Sequence, residues 1–326
     1  MKKIYGLMAT VILSFAAYFL GQHFPLIGGP VFGITLGILV GNLFTLPSSW
    51  QPGITFSSKR LLQLGIILIG AGFNLLQILR VGSDSIIIIL ACLLTALISA
   101  YILGKILGVQ DNIARLIGIG TAICGGTAIV ALSPILKAKE DEISYAISTI
   151  FFYNVLAVLL FPVLGHLLQM GSETFGLFAG TAINDTSSVV AAGYAYGSQA
   201  GDYATIVKLT RTLMLIPVSL GYALYMAKQN RTQPIETGSK LHKVFPLFIL
   251  WFLVMAFFST AQILPSVLVL LLPKIGKFFI IIALSAIGLK TNLKMIVKTG
   301  FRPLLLGLLV WLLVILMSLS VIRFLG

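Results

Sequence analysis

The stretch Gly120-Thr-Ala-Ile-Cys-Gly-Gly-Thr-Ala-Ile-Val-Ala131 recurs further along the chain as Gly180-Thr-Ala-Ile-Asn-Asp-Thr-Ser-Ser-Val-Val-Ala191. Each copy places small, polar and flexible residues at the centre of an apolar segment. A lipid-facing helix stays continuous, because the bilayer offers no partner to an opened backbone. Interrupted helices are typical of transporters that bind a solute near the bilayer midplane. We therefore expect two broken helices, either crossing or re-entrant.

The composition around these two copies indicates a membrane protein. The chain has 326 residues, of which 58% are hydrophobic and 10% charged, and its mean hydropathy is +1.06. A spanning helix needs about 20 apolar residues, and such runs fill nearly the whole chain. We predict an all-α polytopic membrane protein, a single integral membrane domain over residues 1–326, with about eleven transmembrane segments. These are 4–22, 26–46, 61–79, 85–107, 115–136, 143–168, 174–198, 204–226, 243–262, 267–289 and 302–323.

The net charge of +13 is best explained by the rule that Lys and Arg collect in cytoplasmic loops. It therefore does not indicate a nucleic-acid partner. Placing the N-terminus inside puts most basic residues on the inner side, including a predicted cytoplasmic loop at 227–243. The loop 137–142 fits poorly, since it is charged yet falls outside. We predict a multi-pass protein of the inner membrane, with Cys92 and Cys124 inside spans and in no metal or disulfide pattern.

A second internal similarity lies further out. Gly70-x-x-x-Asn-Leu-x-x-x-x-Arg-x-Gly82 matches Gly288-x-x-x-Asn-Leu-x-x-x-x-Lys-x-Gly300 without gaps. In the eleven-span count these two copies run in opposite directions, as inverted repeats require, so we place repeat-related core elements in 61–136 and 174–300. Chance similarity between Leu-rich helices is the alternative. The Gly-Thr-Ala-Ile copies run the same way in that count, and a re-entrant hairpin, a different span count or a rearranged order would reconcile them.

The centres of the two copies hold the candidate binding residues. The pair Gly125-Gly126 disfavours a continuous helix, because each glycine costs about 1 kcal/mol relative to alanine; close helix packing through small residues is the alternative. In the second copy Asp185 is a carboxylate deep in a span, where a charge costs at least ~2.5–3.5 kcal/mol. It is predicted to bind H⁺ or Na⁺, or to pair with Lys208 or Arg211.

Lys208 and Arg211 are three residues apart and so share one helix face. One interpretation is an anion clamp, with Arg as the bidentate donor and Lys as the point charge. The other is that both long side chains extend to the membrane interface.

These segments together resemble the family of bacterial inner-membrane proteins known as YeiH-like sulfate exporters, over nearly the whole chain. The resemblance is distantly shared with bile-acid/sodium symporters, and it implies a transport domain with two crossing broken helices beside a scaffold domain. Some relatives carry His-Glu where this chain has Asn184-Asp185, so the carboxylate is kept and the imidazole is absent. The similarity is carried by the residues Leu64–Gly70, Ile123–Ala128, Glu173–Gly176, Val189–Gly193, Lys208 with Arg211, and Ala286–Leu289.

The sequence thus predicts a secondary-active transporter of a small anion, a sulfate-like sulfur oxyanion or an organosulfonate, coupled to H⁺ or Na⁺. A monovalent cation/proton antiporter using Asp185 is the alternative, a passive channel stays open, and an enzyme is not expected because no catalytic motif is present. The expected partners are the anion, the lipid bilayer and, as an open alternative, a second copy in a homodimer; no cofactor or metal is expected. Predicted substrate-binding residues are Thr121, Cys124, Gly125, Gly126, Thr127, Asn184, Thr186, Ser187, Lys208 and Arg211, and predicted coupling-ion residues are Asp185, Asn184 and Ser188.

Overall fold

The computed structural model describes residues 2–24, 27–229, 246–291 and 300–325. All regular elements in these ranges are helical, which confirms the all-α class. In these ranges seven helical stretches are long and apolar enough to cross a membrane, one of which, Ser198–Tyr225, is divided between the helices Ser198–Leu213 and Leu215–Gln229. Two further apolar helices are shorter. In chain order the helices are α1 Lys2–His23, α2 Gly28–Leu43, α3 Ser48–Gly72, α4 Leu75–Ile106, α5 Asp111–Ala122, α6 Gly126–Leu132, α7 Glu140–Leu167, α8 Ser172–Ala182, α9 Thr186–Tyr196, α10 Ser198–Leu213, α11 Leu215–Gln229, α12 Leu247–Thr260, α13 Ser266–Lys290 and α14 Phe301–Leu325.

The seven long and two shorter helices account for nine of the predicted segments. The remaining two, 115–136 and 174–198, are each divided between two helices. The bounds of the predicted span 61–79 are wrong, because α3 ends at Gly72 and α4 begins after Asn74. The Asn74 side chain accepts a hydrogen bond of 2.8 Å from the backbone N–H of Leu76 and so caps α4. The residues on both sides of Asn74 are apolar, so the sequence predicts one continuous span unless the cap is recognised.

Two predictions fall largely on residues that the structure does not describe. In the outer repeat, the copy from Gly70 to Gly82 spans the break between α3 and α4. Its counterpart includes 292–299, which lie outside the described residues. The predicted loop 227–243 begins inside α11, and its part from 230 onward also lies outside them. Both stay predictions.

Helix α13 packs closely between α2 and α3 through glycines. A Cβ atom placed on Gly37 of α2 would clash with the carbonyl oxygen of Ser285 and would lie 2.9 Å from Cα of Gly288. A Cβ atom on Gly65 of α3 would lie 2.9 Å from the carbonyl oxygen of Gly276. Because these glycines have no side chain, the helix backbones come close enough for dispersion contacts along their length. This unit flanks the core formed by α4 to α10 and α14.

The seam between α2 and α13 predicts a stability effect. Replacing Gly37 with Ala forces the helices apart, which costs about 1–3 kcal/mol, so the apparent midpoint of thermal unfolding in detergent should fall. The matched control is Gly221→Ala in α11, where a Cβ would meet no atom within 4 Å. That change should leave the midpoint unchanged or raise it, since Ala favours a helix by about 1 kcal/mol over Gly. An unchanged midpoint for Gly37→Ala would contradict the seam.

Candidate functional site

The first Gly-Thr-Ala-Ile copy ends a helix and starts a hairpin. Helix α5 stops at Ala122, and α6 begins after Gly125, whose φ of +68° lies in the region that favours glycine. A Cβ atom on Gly120 of α5 would lie 2.9 Å from Cδ1 of Ile129 in α6. Residues nine apart touch in this way only if α6 folds back along α5, because a straight helix would separate them by about 13 Å.

The chain leaves this hairpin on the side where it entered. Asn112, in the first turn of α5, donates a hydrogen bond of 3.0 Å to Glu142 in the first turn of α7. The same Glu142 oxygen accepts from the backbone N–H of Lys139 at 2.7 Å. The start of α7 therefore lies beside the start of α5. We call α5 and α6, residues 111–132, the first hairpin.

The second copy builds a second hairpin in the same way. Helix α8 stops at Ala182 and α9 begins at Thr186. Tyr196 at the end of α9 stacks on Phe175 near the start of α8, with 3.8 Å between ring centroids, and its hydroxyl donates to the carbonyl of Met170. Because the end of α9 lies beside the start of α8, the chain again returns to its point of entry. We call α8 and α9, residues 172–196, the second hairpin.

The two hairpins open at opposite ends of α7, whose 28 residues connect them. Their tips, which are the turns 123–125 and 183–185, meet. A Cβ atom on Gly125 would lie 3.3 Å from Cβ of Asp185. The 12 residues of α5 and the 11 of α8 rise about 18 Å and 16 Å. Each of these helices is therefore about half as long as a hydrocarbon core of ~30 Å is thick.

These contacts bear on the direction of the two copies, which the sequence leaves open. The simple count has both Gly-Thr-Ala-Ile stretches running the same way, whereas α5 and α8 enter from opposite ends of α7 and run in opposite directions. Of the alternatives left open, a re-entrant path fits these contacts. The loop 137–142 then lies on the same side as the loop before α5, rather than across the bilayer from it.

A buried cation from α10 lies against both tips. Lys208 has no exposed surface. Its Nζ donates to the carbonyl of Ile123 at 2.8 Å, to that of Ile183 at 3.0 Å, and to that of Asn184. The three donors of the ammonium are thus shared between the first hairpin and the second.

Arg211, one turn further along α10, is equally buried. Its Nε donates to the carbonyl of Ala122 at 2.7 Å, and one Nη donates to that of Thr181 at 2.6 Å and that of Ile183 at 3.2 Å. The other Nη donates to the carbonyl of Thr121. These are carbonyls that the ends of α5 and α8 leave without helical partners.

These contacts decide between the interpretations of the cation pair only in part. With no exposed surface, neither Lys208 nor Arg211 extends to the membrane interface. Among the described residues, no ion pair joins either one to Asp185. Both cations bind backbone carbonyls at or next to the tips, so they are in place to hold the hairpins together. We call the two tips with Lys208 and Arg211 the centre, and these two cations contribute its positive charge.

Trp311 of α14 completes this set of donors, and no sequence pattern indicates that role. Its Nε1 donates to the carbonyl of Ala182 at 3.1 Å. A single Trp in a Leu-rich helix is typical of packing or of an interfacial position. Its partner is remote in sequence, so no local pattern could have identified it.

Asp185 caps the start of α9 and is partly exposed. Its carboxylate accepts from the backbone N–H of Ser187 at 3.0 Å and from the Ser187 hydroxyl, while its own N–H donates to Asn154 of α7 at 3.1 Å. Beside it, Thr127 is exposed and Gly126 is half-buried, with no atom within 4 Å of a Cβ placed on it. We call Gly126, Thr127 and Asp185 the tip surface, because they are the accessible residues at the junction.

Other predicted site residues are buried behind this surface. Asn184 is 1% exposed, and neither end of its side-chain amide has a hydrogen-bond partner; the buried hydroxyl of Thr121 has none either. The structure therefore brings all the predicted site residues to the two tips or to the adjoining helix α10. The remaining members, which are also buried, are Cys124 and Gly125 in the first turn and Thr186, Ser187 and Ser188 at the start of α9.

Long apolar helices surrounding this polar centre define the class: a multi-pass helical membrane protein. The chain belongs to the UPF0324 membrane protein family, since the family described as "Conserved hypothetical protein 698" matches residues 5–307. It is 45% identical over 333 residues to a UPF0324 membrane protein of Streptococcus pyogenes serotype M6, covering 100% of this chain and 98% of the relative. It is 43% identical over 345 residues to one of Fusobacterium nucleatum, covering 100% and 99%.

The hairpins predict which residues share a side of the membrane. In a background with Cys92 and Cys124 replaced by Ser, cysteines at exposed positions Gln110 and Lys139 should both react with an impermeant thiol reagent from one side of sealed vesicles. A cysteine at exposed Glu173 should react from the other side. A simple alternation of spans would put Gln110 with Glu173 instead, so that pattern would contradict the hairpins.

The carbonyl contacts predict that Lys208 stabilises the fold. Lys208→Met keeps the length of the side chain but leaves three buried carbonyls without this donor, at about 1–3 kcal/mol each. Thermal unfolding in detergent should therefore begin at a clearly lower temperature. Lys105→Met is the control, because Lys105 is exposed and donates to the hydroxyl of Tyr101, away from the tips. Equal midpoints for both variants would refute the role of Lys208 at the tips.

Proposed function

We propose that the protein is a secondary-active transporter of a small anion, a sulfate-like sulfur oxyanion or an organosulfonate, coupled to H⁺ or Na⁺. The observation that carries this proposal is the meeting of two oppositely directed hairpin tips over two buried cations. Interrupted helices with ends near the midplane are how many secondary transporters form solute sites. The sequence holds no Gly-x-x-x-x-Gly-Lys-Ser/Thr motif for ATP, so transport would run on a gradient.

The charge at the centre favours an anion. Lys208 and Arg211 contribute two positive charges, and Asp185 contributes one negative charge. The two helix ends that face the cations carry partial negative charge, and the two helix starts carry partial positive charge, so these contributions largely cancel. Isolated charge inside a bilayer is costly. An excess of positive charge there supports a mobile anion as its counterion.

The cations would act on this anion through their field rather than as a direct clamp. Their hydrogen bonds are largely used by the tip carbonyls. The anion would contact the tip surface and neighbouring polar groups, while Lys208 and Arg211 keep the potential positive. Neutral donors in a low-dielectric site bind anions effectively when fixed charges lie close behind them.

Access would alternate by movement of the hairpins against the helices around them. With the N-terminus inside, the first hairpin enters from the cytoplasm and the second from the opposite side, as an inverted repeat requires. Lys137 and Lys139 then move to the inner side, which agrees better with the positive-inside rule than the simple count did. The two halves of the proposed cycle would expose the tips first to one side and then to the other.

A monovalent cation/proton antiporter is the rival function, and one observation favours it. Asp185 is the charged residue on the tip surface, whereas both cations are withdrawn onto carbonyls. In that case Lys208 and Arg211 would only balance charge, and Asp185 would bind the transported ion.

Transport by Asp185→Asn separates coupling from folding. Asparagine can still accept the N–H of Ser187 and cap α9, so the variant should fold. In proteoliposomes we expect anion uptake by the native protein to follow a pH or Na⁺ gradient, and uptake by the variant to lose that dependence. Asp202→Asn is the control, because Asp202 is a partly buried carboxylate that binds Tyr194 away from the tips.

The same vesicles distinguish the two functions. Exchange of Na⁺ for H⁺ with no permeant anion present, abolished in Asp185→Asn, would favour the antiporter and overturn the proposal. If anion uptake by Asp185→Asn depends on the gradient as uptake by the native protein does, Asp185 is not the coupling residue.

A further inference from the structure

The unpartnered amide of Asn184 bears on which anion this site accepts. Asn184 belongs to the tip of the second hairpin. Its carbonyl accepts a hydrogen bond from Lys208, and the next residue is Asp185. Its side chain is buried, yet neither Nδ2 nor Oδ1 has a partner. Buried polar groups are nearly always hydrogen-bonded, so an amide left with both ends free at a candidate binding site points to a ligand.

We propose that the transported anion is a monovalent oxyanion that retains one O–H group, recognised by the amide of Asn184. This inference rests on the proposed function and narrows its substrate class. The amide offers a donor and an acceptor side by side. An oxyanion with one O–H and one bare oxygen fills both, with the O–H donating to Oδ1 and the bare oxygen accepting from Nδ2.

A fully deprotonated anion satisfies only half of this site. It has acceptors alone, so Oδ1 would stay buried without a donor, and leaving a buried polar group unpaired is what allows sites to reject close analogues strongly. Exchanging the two ends of the amide does not alter the argument, because both ends are free. The hydroxyl of Thr121 on the first hairpin is a second buried group that lacks a partner.

The charge of the centre agrees with a single negative charge on the ligand. Lys208 and Arg211 exceed Asp185 by one positive charge, and a monovalent anion would neutralise that excess. With no coupling ion at Asp185, a divalent ion would leave the centre negative inside the bilayer, which is costly. Sulfate at neutral pH carries no O–H, so the amide argument excludes it.

Thermal stabilisation of the purified protein at one pH just below neutral tests this inference, because a ligand of the native state raises the unfolding midpoint. The probes are hydrogen carbonate and hydrogen sulfite, which at that pH are mainly monovalent and keep a proton; nitrate, which is monovalent and lacks one; and sulfate. We expect stabilisation by one or both of the first pair and none by nitrate or sulfate at equal concentration.

Variants then tie the effect to the amide. Asn184→Leu keeps the approximate volume of the side chain and removes both polar ends. The anion concentration that gives half-maximal stabilisation should therefore rise at least about tenfold. If that variant does not fold, Asn184→Asp, which offers no N–H donor, serves the same purpose. Ser285→Ala is the control, since the Ser285 hydroxyl is also buried and unpartnered but lies on α13; it should leave the concentration unchanged.

The outcomes separate this inference from the proposed function. Stabilisation by sulfate or nitrate as strong as by hydrogen carbonate and hydrogen sulfite would overturn the inference and leave an anion transporter standing. Stabilisation by none of the anions would overturn the inference, and stabilisation by Na⁺ alone would overturn both. An Asn184→Leu protein with unchanged response to hydrogen carbonate and hydrogen sulfite would remove the amide from recognition.

Discussion

A helix that stops inside a bilayer leaves carbonyl groups that no water can reach, and this constraint governs the whole centre of the molecule. Lys208 and Arg211 meet it by donating to carbonyls at the ends of both α5 and α8. Such groups would otherwise cost several kcal/mol each in lipid. The cations in turn need those carbonyls, because without them two buried charges would lack partners.

The remaining helices make this exchange of bonds possible by fixing where the tips lie. Helix α7 separates the openings of the two hairpins, and its Asn154 binds the backbone of Asp185. Helix α14 adds the indole of Trp311 to the end of α8. On the far side, the glycine seams bring α2 and α3 against α13. One part of the fold thus carries the polar centre, and another is held together by close backbone packing.

The helix ends at Ala122 and Ala182 could be predicted from the sequence, because their signals are local. A continuous apolar helix is disfavoured by the consecutive glycines Gly125-Gly126 and by the run of polar residues that starts at Asn184. The path of the chain through these breaks was not predictable in the same way. A turn that reverses a helix and one that continues it have similar compositions, and only contacts such as Gly120 with Ile129 distinguish them.

Other features could not be read because they join residues far apart in the chain. The partners of Arg211 lie about 30 and 90 residues away, and nothing in Ile206–Pro217 indicates that backbone carbonyls rather than an anion occupy its donors. The Asn74 cap was missed for the opposite reason. Its signal is local, but a long apolar run on either side concealed the boundary between α3 and α4.

Sharing Lys208 between the hairpins has a consequence for leakage. Its ammonium is bound by one carbonyl of the first hairpin and two of the second. If one tip withdraws, the other still supplies partners to the cations. If both withdraw together, two cations lose nearly all their acceptors at once, and the penalty for buried unpaired charge is severe. The same bonds that join the tips therefore disfavour a continuous pore, in which the membrane would lose its ion gradients.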